Sequence, residues 1–173
     1  MRCFAIYCLV AALTAFVGQA SGQIERECLD CICGAESAGC LAMGCREDQG
    51  SLSCGFYQIK QPYYIDCGEP GRREGETLEQ AWRFCADEKP CAEQCIENYY
   101  KRYGVFCPQE ISRCECVARL HNGGPFGASL RKEFTDTYWA RVQQCLKKKG
   151  NQKKNDAKNK GNNKRRYYYN KNP

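Results

Sequence analysis

The sequence has little histidine and, after its first twenty residues, no long apolar run. It contains one histidine, His121, in 173 residues, so a zinc site built from paired cysteine and histidine ligands is not expected. No later segment provides the roughly 20 apolar residues that a membrane-spanning helix needs. Residues 147–173 lack leucine, isoleucine, valine and phenylalanine, so this segment cannot bury a core. We therefore predict no metal, no cofactor, no membrane span and no nucleic-acid partner.

The apolar run at the start is typical of a secretory signal peptide. Residues 1–20, MRCFAIYCLVAALTAFVGQA, place Arg2 before an apolar stretch that ends in small residues. A membrane anchor would need a longer run without the small-residue pattern. We predict cleavage after Ala20 or Gly22 and an extracellular, secreted protein.

Cysteine is abundant where histidine is scarce. Without Cys3 and Cys8 of the predicted signal peptide, fourteen of the sixteen cysteines remain, all within residues 23–146. The number is even, and fourteen cysteines in these 124 residues exceed the density of about 8–10% that marks a disulfide scaffold. The pattern predicts as many as seven disulfides and leaves their connectivity open. The predicted disulfide cysteines are Cys28, Cys31, Cys33, Cys40, Cys45, Cys54, Cys67, Cys85, Cys91, Cys95, Cys107, Cys114, Cys116 and Cys145.

Charge divides the remaining chain into two parts. Residues 23–146 carry 14 basic and 19 acidic side chains, whereas residues 147–173 carry 11 basic side chains and a single acidic one, Asp156. The chain thus combines an acidic globule with a basic tail, which its composition predicts to be disordered. Two interpretations of the tail stay open: a solubilising extension, or an electrostatic tether to anionic cell-wall or matrix polymers.

The pattern of the globule favours a small α+β fold, mostly helical with one short β-hairpin. Alternating apolar positions around Gly55 predict the hairpin, and Asn122-Gly123-Gly124 predicts a helix end. The predicted elements are helices at residues 25–42, from Thr77, from Pro90, at 112–121 and at 135–146, a hairpin at 51–59, and a loop at 68–75.

Two carboxylates stand out by their surroundings. Glu36 lies among small and apolar residues in CICGAESAGC, and Asp48 lies in the polar stretch CREDQG. A carboxyl group in apolar surroundings holds its proton to higher pH than one in a polar setting. Glycosidic cleavage needs this division between a proton donor and an ionised carboxylate.

The stretch CICGAESAGCLAMGCREDQGSLSCGFYQIKQPYYIDCGEPG resembles the active-site half of the invertebrate-type (i-type) lysozymes, the family that includes destabilase. HNGGP at residues 121–125 and the ending at residues 138–145 are similar to the closing half. The resemblance covers the globule and implies a secreted muramidase acting on bacterial peptidoglycan. It places Glu36 on the proton donor and Asp48 on the nucleophile, and it implies retention of the anomeric configuration.

The same resemblance places further residues along a sugar-binding cleft. The implied substrate-binding residues are Lys60, Tyr63, Tyr64, Asp66, His121 and Asn122. The alternative for the KQPYYID segment is structural packing of a loop, and the alternative for His121 is a favourable position at a helix C-terminus. Some family members also cleave isopeptide bonds with a serine and a histidine, for which Ser51 and Ser53 are the candidates here.

The chain departs from the family pattern at two positions. Ala128 stands where many members have a cysteine, and Cys116 is an additional cysteine. Because the count stays even, we expect local re-pairing rather than two free thiols. The unusual basic tail supports an alternative function, a non-catalytic extracellular protein that binds glycan or matrix.

Overall fold

The computed structural model describes residues 23–48, 50–130 and 132–171, with the backbone alone for 161–171. The predicted signal peptide lies outside the described residues. The helices are α1 Arg26–Glu36, α2 Gln61–Asp66, α3 Leu78–Asp87, α4 Lys89–Tyr103, α5 Arg113–Gly123 and α6 Glu133–Lys171, with a 3-10 turn at Gly104–Phe106. The strands are β1 Cys45–Asp48, β2 Ser51–Cys54 and β3 Ile59–Lys60. This mostly helical molecule with one small sheet confirms the α+β prediction.

Local signals account for the ends of several helices. The Thr77 hydroxyl accepts a hydrogen bond from the Gln80 amide, and the Gln80 side chain accepts one from the Thr77 amide, which forms a capping box at the start of α3. Ser112 caps α5 through the Glu115 amide. Gly124, with φ of 75°, follows the last residue of α5 in a conformation that glycine adopts without strain. The sequence predicted these boundaries because each depends on neighbouring residues.

The sheet is antiparallel in the order β1-β2-β3. Its register places Asp48 opposite Ser51 and Ser53 opposite Lys60. The turn after β2 packs tightly on the end of α3, since a Cβ atom on Gly55 would lie 1.8 Å from the Ala86 carbonyl oxygen. Only glycine fits there, and the Phe56 amide donates to the same carbonyl. The hairpin that carries one wall of the cleft is thereby fixed to the helical part.

The structure joins the fourteen predicted cysteines in seven disulfides. Two close long loops and tie α1 to the C-terminal half: Cys28–Cys114 spans 86 residues and Cys31–Cys145 spans 114. Cys116 pairs with Cys107 nine residues away, which is the local re-pairing that the sequence predicted, and Ala128 is fully buried. The remaining pairs are Cys33–Cys40, Cys45–Cys54, Cys67–Cys95 and Cys85–Cys91.

Three local predictions differ from the structure. The first helix ends at Glu36 rather than at residue 42, because Ser37 is extended and Gly39 and Cys40 have positive φ. The polar approach to the hairpin is itself a strand, β1, with a largely exposed face. The KQPYYID segment contains the short helix α2, which has Pro62 in its first turn, a position where proline is well tolerated.

The tail also differs from the prediction, because α6 continues from the globule to Lys171 instead of ending near residue 146. Lysine and arginine are good helix formers, but the asparagines and glycines of the tail are not. The helix continues because adding residues to an existing helix avoids the cost of nucleation. The first turns of the tail also contact α1: Lys149 Nζ lies 3.0 Å from Asp30 Oδ2, and Lys153 pairs with Glu27. Despite the length of α6, no helix among the described residues is long and apolar enough to cross a membrane.

Candidate active site

Glu36 is the last residue of α1, and its position is fixed by the residue that follows it. The Ser37 hydroxyl, which is buried, donates to the carbonyls of Cys33 and Phe56 and accepts from the Leu41 amide. These bonds connect the end of α1 to the turn between β2 and β3. The Glu36 side chain is 18% exposed, so its carboxyl group is sheltered but open to the cleft.

Asp48 lies at the opposite wall, at the end of β1. Its side chain is 51% exposed, and Oδ2 lies 3.0 Å from Lys60 Nζ. Lys60 also donates to the main-chain carbonyl of Asp48 at 3.1 Å. The lysine, at the end of β3, therefore holds both the side chain and the backbone of Asp48.

The two carboxylates line one cavity of about 610 Å³. Seven of the eight residues predicted for catalysis or binding line it: Glu36, Asp48, Lys60, Tyr63, Asp66, His121 and Asn122. A second cavity of about 710 Å³ adjoins it and shares Asp48, Lys60, Asn122 and Arg141. Together they form a cleft in which Glu36 lines the first cavity and Asp48 borders both. Two adjoining cavities of this size can hold more than one unit of a polymer.

His121, in the last turn of α5, lies beside Glu36. Its Nε2 is 2.9 Å from the Tyr57 carbonyl oxygen and 3.4 Å from Glu36 Oε1. A carbonyl only accepts, so Nε2 carries the proton and donates to Tyr57. Only 4% of the His121 side chain is exposed, and among the described side chains Nδ1 has no hydrogen-bond partner. His121 therefore packs behind Glu36 as well as bordering the cleft.

Two tyrosines complete the surroundings of Glu36. Burial raises the pKa of Tyr138 well above its ordinary value, and the nearby Glu36 carboxylate raises it further. Burial, followed by Tyr99 and Glu36, has the same effect on the pKa of Tyr63. Both phenols are therefore protonated at neutral pH. The Tyr63 ring stacks on Tyr99 with centroids 3.7 Å apart, so one of its faces is covered and unavailable to a sugar.

The structure does not bring Tyr64 to the cleft. Its side chain is fully buried, and its hydroxyl donates to the Pro70 carbonyl at 2.9 Å. The prediction that Tyr64 binds sugar fails because α2 turns consecutive residues in different directions, so Tyr63 and Tyr64 cannot share a face. Asp66 does line the cleft, and Oδ1 lies 3.7 Å from Arg102 Nη1.

The two serines proposed for isopeptide cleavage are engaged elsewhere. Ser51 donates to the Asp48 main-chain carbonyl at 3.2 Å, and Ser53 donates to the Gln58 side chain at 3.1 Å. Ser53 lines the same cavity as His121, but no hydrogen bond joins them among the described residues. This arrangement is not an assembled serine–histidine pair. The described residues also contain no cluster of three or more histidine, cysteine, aspartate or glutamate side chains suited to a metal.

Two residues of α6 that line the cleft, Tyr138 and Arg141, were not predicted from the sequence. Tyr138 lies on the buried face of this helix, so the sequence pattern indicated a core residue and not a neighbour of Glu36. The pattern offered one signal for Arg141, a basic residue directly before the buried Val142. That signal is weak, because lysine and arginine often border an apolar helix face.

Comparison with known proteins agrees with this geometry. The family model described as Destabilase matches residues 25–145, which include every element from α1 to the last disulfide. The chain belongs to the Destabilase family. Its match contains both Glu36 and Asp48 and stops before most of the basic extension of α6.

Several relatives in this family are named as lysozymes. Invertebrate-type lysozyme 2 of Caenorhabditis elegans is 52% identical over 120 residues, which cover 69% of this chain and 84% of the relative. A lysozyme of Meretrix lusoria is 47% identical over 127 residues, 72% of this chain and 93% of the relative. These relatives support a lysozyme-type glycosidase function for the chain.

Solved structures show the same fold. The crystal structure of Tapes japonica lysozyme matches with a TM-score of 0.59 and 44% identity, covering 70% of this chain and 90% of that one. Meretrix lusoria lysozyme in complex with Aeromonas hydrophila PliI matches with a TM-score of 0.59 and 46% identity, covering 71% and 91%. In both, the uncovered part of this chain is larger than that of the relative.

Proposed function

We propose that this protein hydrolyses the β-1,4 bond between N-acetylmuramic acid and N-acetylglucosamine in bacterial peptidoglycan, in antibacterial defence or digestion. The observation that carries the proposal is the convergence of Glu36 and Asp48 on one cavity in contrasting settings. Glu36 is sheltered beside His121 and Tyr138, whereas Asp48 is exposed and paired with Lys60. This is the asymmetry that a glycosidase needs between its two carboxyl groups.

In the proposed mechanism Glu36 is the proton donor and Asp48 the nucleophile. Glu36 protonates the oxygen of the glycosidic bond as that bond breaks, while a carboxylate oxygen of Asp48 forms a bond to the anomeric carbon. The Glu36 carboxylate then removes a proton from a water molecule, which attacks the same carbon and releases Asp48. The contacts to Lys60 hold the Asp48 carboxylate in place before the attack.

This mechanism predicts the stereochemistry of the product. Two successive displacements retain the configuration, so the β-anomer should form first when the protein is incubated with purified peptidoglycan. Clearing of the suspension measures the activity, and time-resolved NMR of the new reducing ends shows which anomer forms first. An α-anomer formed first would contradict the role of Asp48 as nucleophile. Glycan binding without any cleavage would favour the alternative of a non-catalytic glycan-binding protein.

We also propose that residues 1–20 direct secretion, that residues 23–146 form the catalytic domain, and that residues 147–173 attach it to anionic polymers of the cell wall or matrix. The seven disulfides support an oxidising compartment. The tail continues α6 as a helix, and within the part whose side chains are described its ion pairs with the globule are those of Lys149 and Lys153.

Truncation of the tail tests the attachment. Removing residues 155–173 deletes six basic residues and Asp156 but retains Lys149 and Lys153, so the contacts to α1 survive. We expect weaker binding to whole bacterial cells and lower activity on them at about 0.01 M salt, where the Debye length is about 30 Å. The difference should shrink toward about 1 M salt, where the Debye length is about 3 Å.

Co-sedimentation with cells measures the binding, and a soluble neutral chitooligosaccharide serves as the control substrate. Its hydrolysis should be nearly unchanged, because residues 155–160, the part of the deleted segment whose side chains are described, line neither cavity. A full-length variant with the six basic residues replaced by glutamine should behave like the truncation. Equal cell binding by all three proteins at low salt would mean that the tail is only a solubilising extension.

A further inference from the structure

The cleft of this acidic globule is poorly suited, at first sight, to the negatively charged glycan that the proposed function requires. Four carboxylates line the first cavity: Glu36, Glu47, Asp48 and Asp66. Muramic acid carries a carboxylate on its lactyl group when the peptide stem is absent, and stem peptides carry carboxylates of their own. A substrate of this kind needs a cation in the cleft that offsets the repulsion.

Arg141 is the cation with the required position. It borders both cavities together with Asp48, Lys60 and Asn122, so it lies where the two cavities join. Lys60 borders both as well, but its ammonium group is already bound to the side chain and backbone of Asp48. Arg46 borders the first cavity alone. Arg141 therefore lies at the junction of the two cavities, and its guanidinium group is not paired with Asp48.

The surroundings of Arg141 orient its side chain without neutralising it. The guanidinium carbon lies 5.3 Å from the centre of the Tyr138 ring, a cation–π contact that restricts the side chain. The residue is exposed, and no carboxylate within the described part of the chain forms an ion pair with it. Tyr138 is itself fully buried and held in the core. The result is a pre-oriented guanidinium group with free donors that face the cleft.

The helix presents Arg141 together with two further polar residues of the second cavity. Glu133, Thr137 and Arg141 are spaced by four residues on α6 and line that cavity together. Residues four apart lie on one face of a helix. This face of α6 thus forms a wall of the second cavity, with Arg141 at the end nearest the cavity that contains Glu36.

We propose that Arg141 binds a carboxylate on the muramic acid unit of the substrate and so makes the enzyme prefer peptidoglycan glycan over neutral chitin. A guanidinium group matches a carboxylate through two parallel hydrogen bonds. Cleavage after muramic acid places this sugar beside Glu36 and Asp48, and Arg141 borders the cavities on both sides of Asp48. The proposal rests on the proposed function, because it names the group by which that substrate is recognised.

The test compares charged and neutral glycans of equal length with the full-length protein. The charged glycans alternate N-acetylglucosamine and N-acetylmuramic acid, once without and once with stem peptides, and the neutral glycan is an N-acetylglucosamine oligomer. We expect Arg141→Gln to raise KM for a charged oligomer about tenfold while kcat changes little. KM for the neutral oligomer should stay nearly constant. Arg141→Lys keeps the charge but loses the paired donors, so its KM for the charged oligomer should lie between those of the wild type and Arg141→Gln.

Arg73→Gln is the matched control. The Arg73 guanidinium also rests on an aromatic ring, 5.6 Å from the centre of Phe84, but Arg73 lines neither cavity. The Arg73→Gln variant should have an unchanged KM for all three glycans. A loss on the stem-free glycan assigns the bound carboxylate to the lactyl group, and a loss confined to the stem-bearing glycan assigns it to the peptide. Both results support the carboxylate site.

Three results would overturn the proposal: an equal loss on the neutral oligomer, no loss on either charged oligomer, or a loss of charge selectivity in Arg46→Gln instead of Arg141→Gln. If the proposed function itself is wrong, the result differs: the wild-type protein cleaves the neutral glycan and neither of the charged glycans. In that case calorimetric binding of the charged glycans to Glu36→Gln, with and without Arg141→Gln, still decides whether Arg141 holds a carboxylate.

Discussion

Replacing Glu36 by glutamine is expected to lower the rate of glycosidic cleavage by about 10²–10⁴-fold, the usual contribution of general acid catalysis. Glutamine has nearly the shape of glutamate, so the position beside His121 and the bonds of Ser37 are retained. Only the transferable proton is lost. KM for the substrate should therefore change far less than kcat.

Asp48→Asn should be comparably damaging for a different reason. Asparagine cannot form the covalent intermediate, and the contact of Lys60 with a carboxylate oxygen is lost as well. Glu79→Gln is a suitable control, since Glu79 pairs with Arg83 on α3 and lines neither cavity. Release of new reducing ends and circular dichroism should be measured on each variant. A folded Glu36→Gln or Asp48→Asn protein that works at the wild-type rate would refute its assignment.

The second large effect concerns the disulfide between Cys31 and Cys145. In the chain-entropy account, a bond that closes a loop of about 100 residues stabilises a protein by about 4.7 kcal/mol. Cys31–Cys145 closes 114 residues and joins α1 to α6. Domains of this size have a free energy of unfolding of only about 5–15 kcal/mol. Replacing both cysteines by alanine should therefore remove a large part of that free energy.

The short loop of Cys85–Cys91, with a separation of six residues, provides the comparison. The same account gives about 2 kcal/mol for a loop of this length, so the corresponding alanine pair should melt at a clearly higher temperature than the Cys31/Cys145 pair. Denaturant titration of both variants measures the difference. The wild-type protein should take up no thiol label at the fourteen cysteines without reduction. Equal destabilisation by the two pairs would show that loop length does not govern stability here.

The sequence predicted the helix starts at Thr77 and Ser112 and the helix end at Asn122-Gly123-Gly124. The side-chain caps and the glycine that produce these boundaries are each contained in a few residues. The even cysteine count predicted seven bonds, but their pairing needs the path of the chain in space, and the sequence left it open.

The cleft was predicted in part because family resemblance supplied what local patterns could not. Nothing in the segment around Glu36 indicates that Asp48 faces it across a cavity. Tyr64 was misplaced because a loop was expected where α2 forms, and the helical period turns it into the core. Arg141 was missed because its place at the cleft depends on how α6 packs against α1 and α5.

The tail shows how tertiary structure changes a prediction from composition. A chain rich in lysine and asparagine is expected to be disordered when considered alone. Here it extends a helix that Cys145 ties to α1 and whose next turns contact Asp30 and Glu27. The cost of starting a helix is therefore already met when the tail begins.

The unbroken course of α6 makes this helix a spacer of fixed length. At a rise of about 1.5 Å per residue, the backbone from Arg141 to Lys171 measures about 45 Å. A polymer bound near the far end of this rod would be held at a set distance from the cleft and on one side of it. Under the proposed attachment, the number of residues in the helix would set the distance between the bound polymer and the cleft, and a few inserted turns would change that distance.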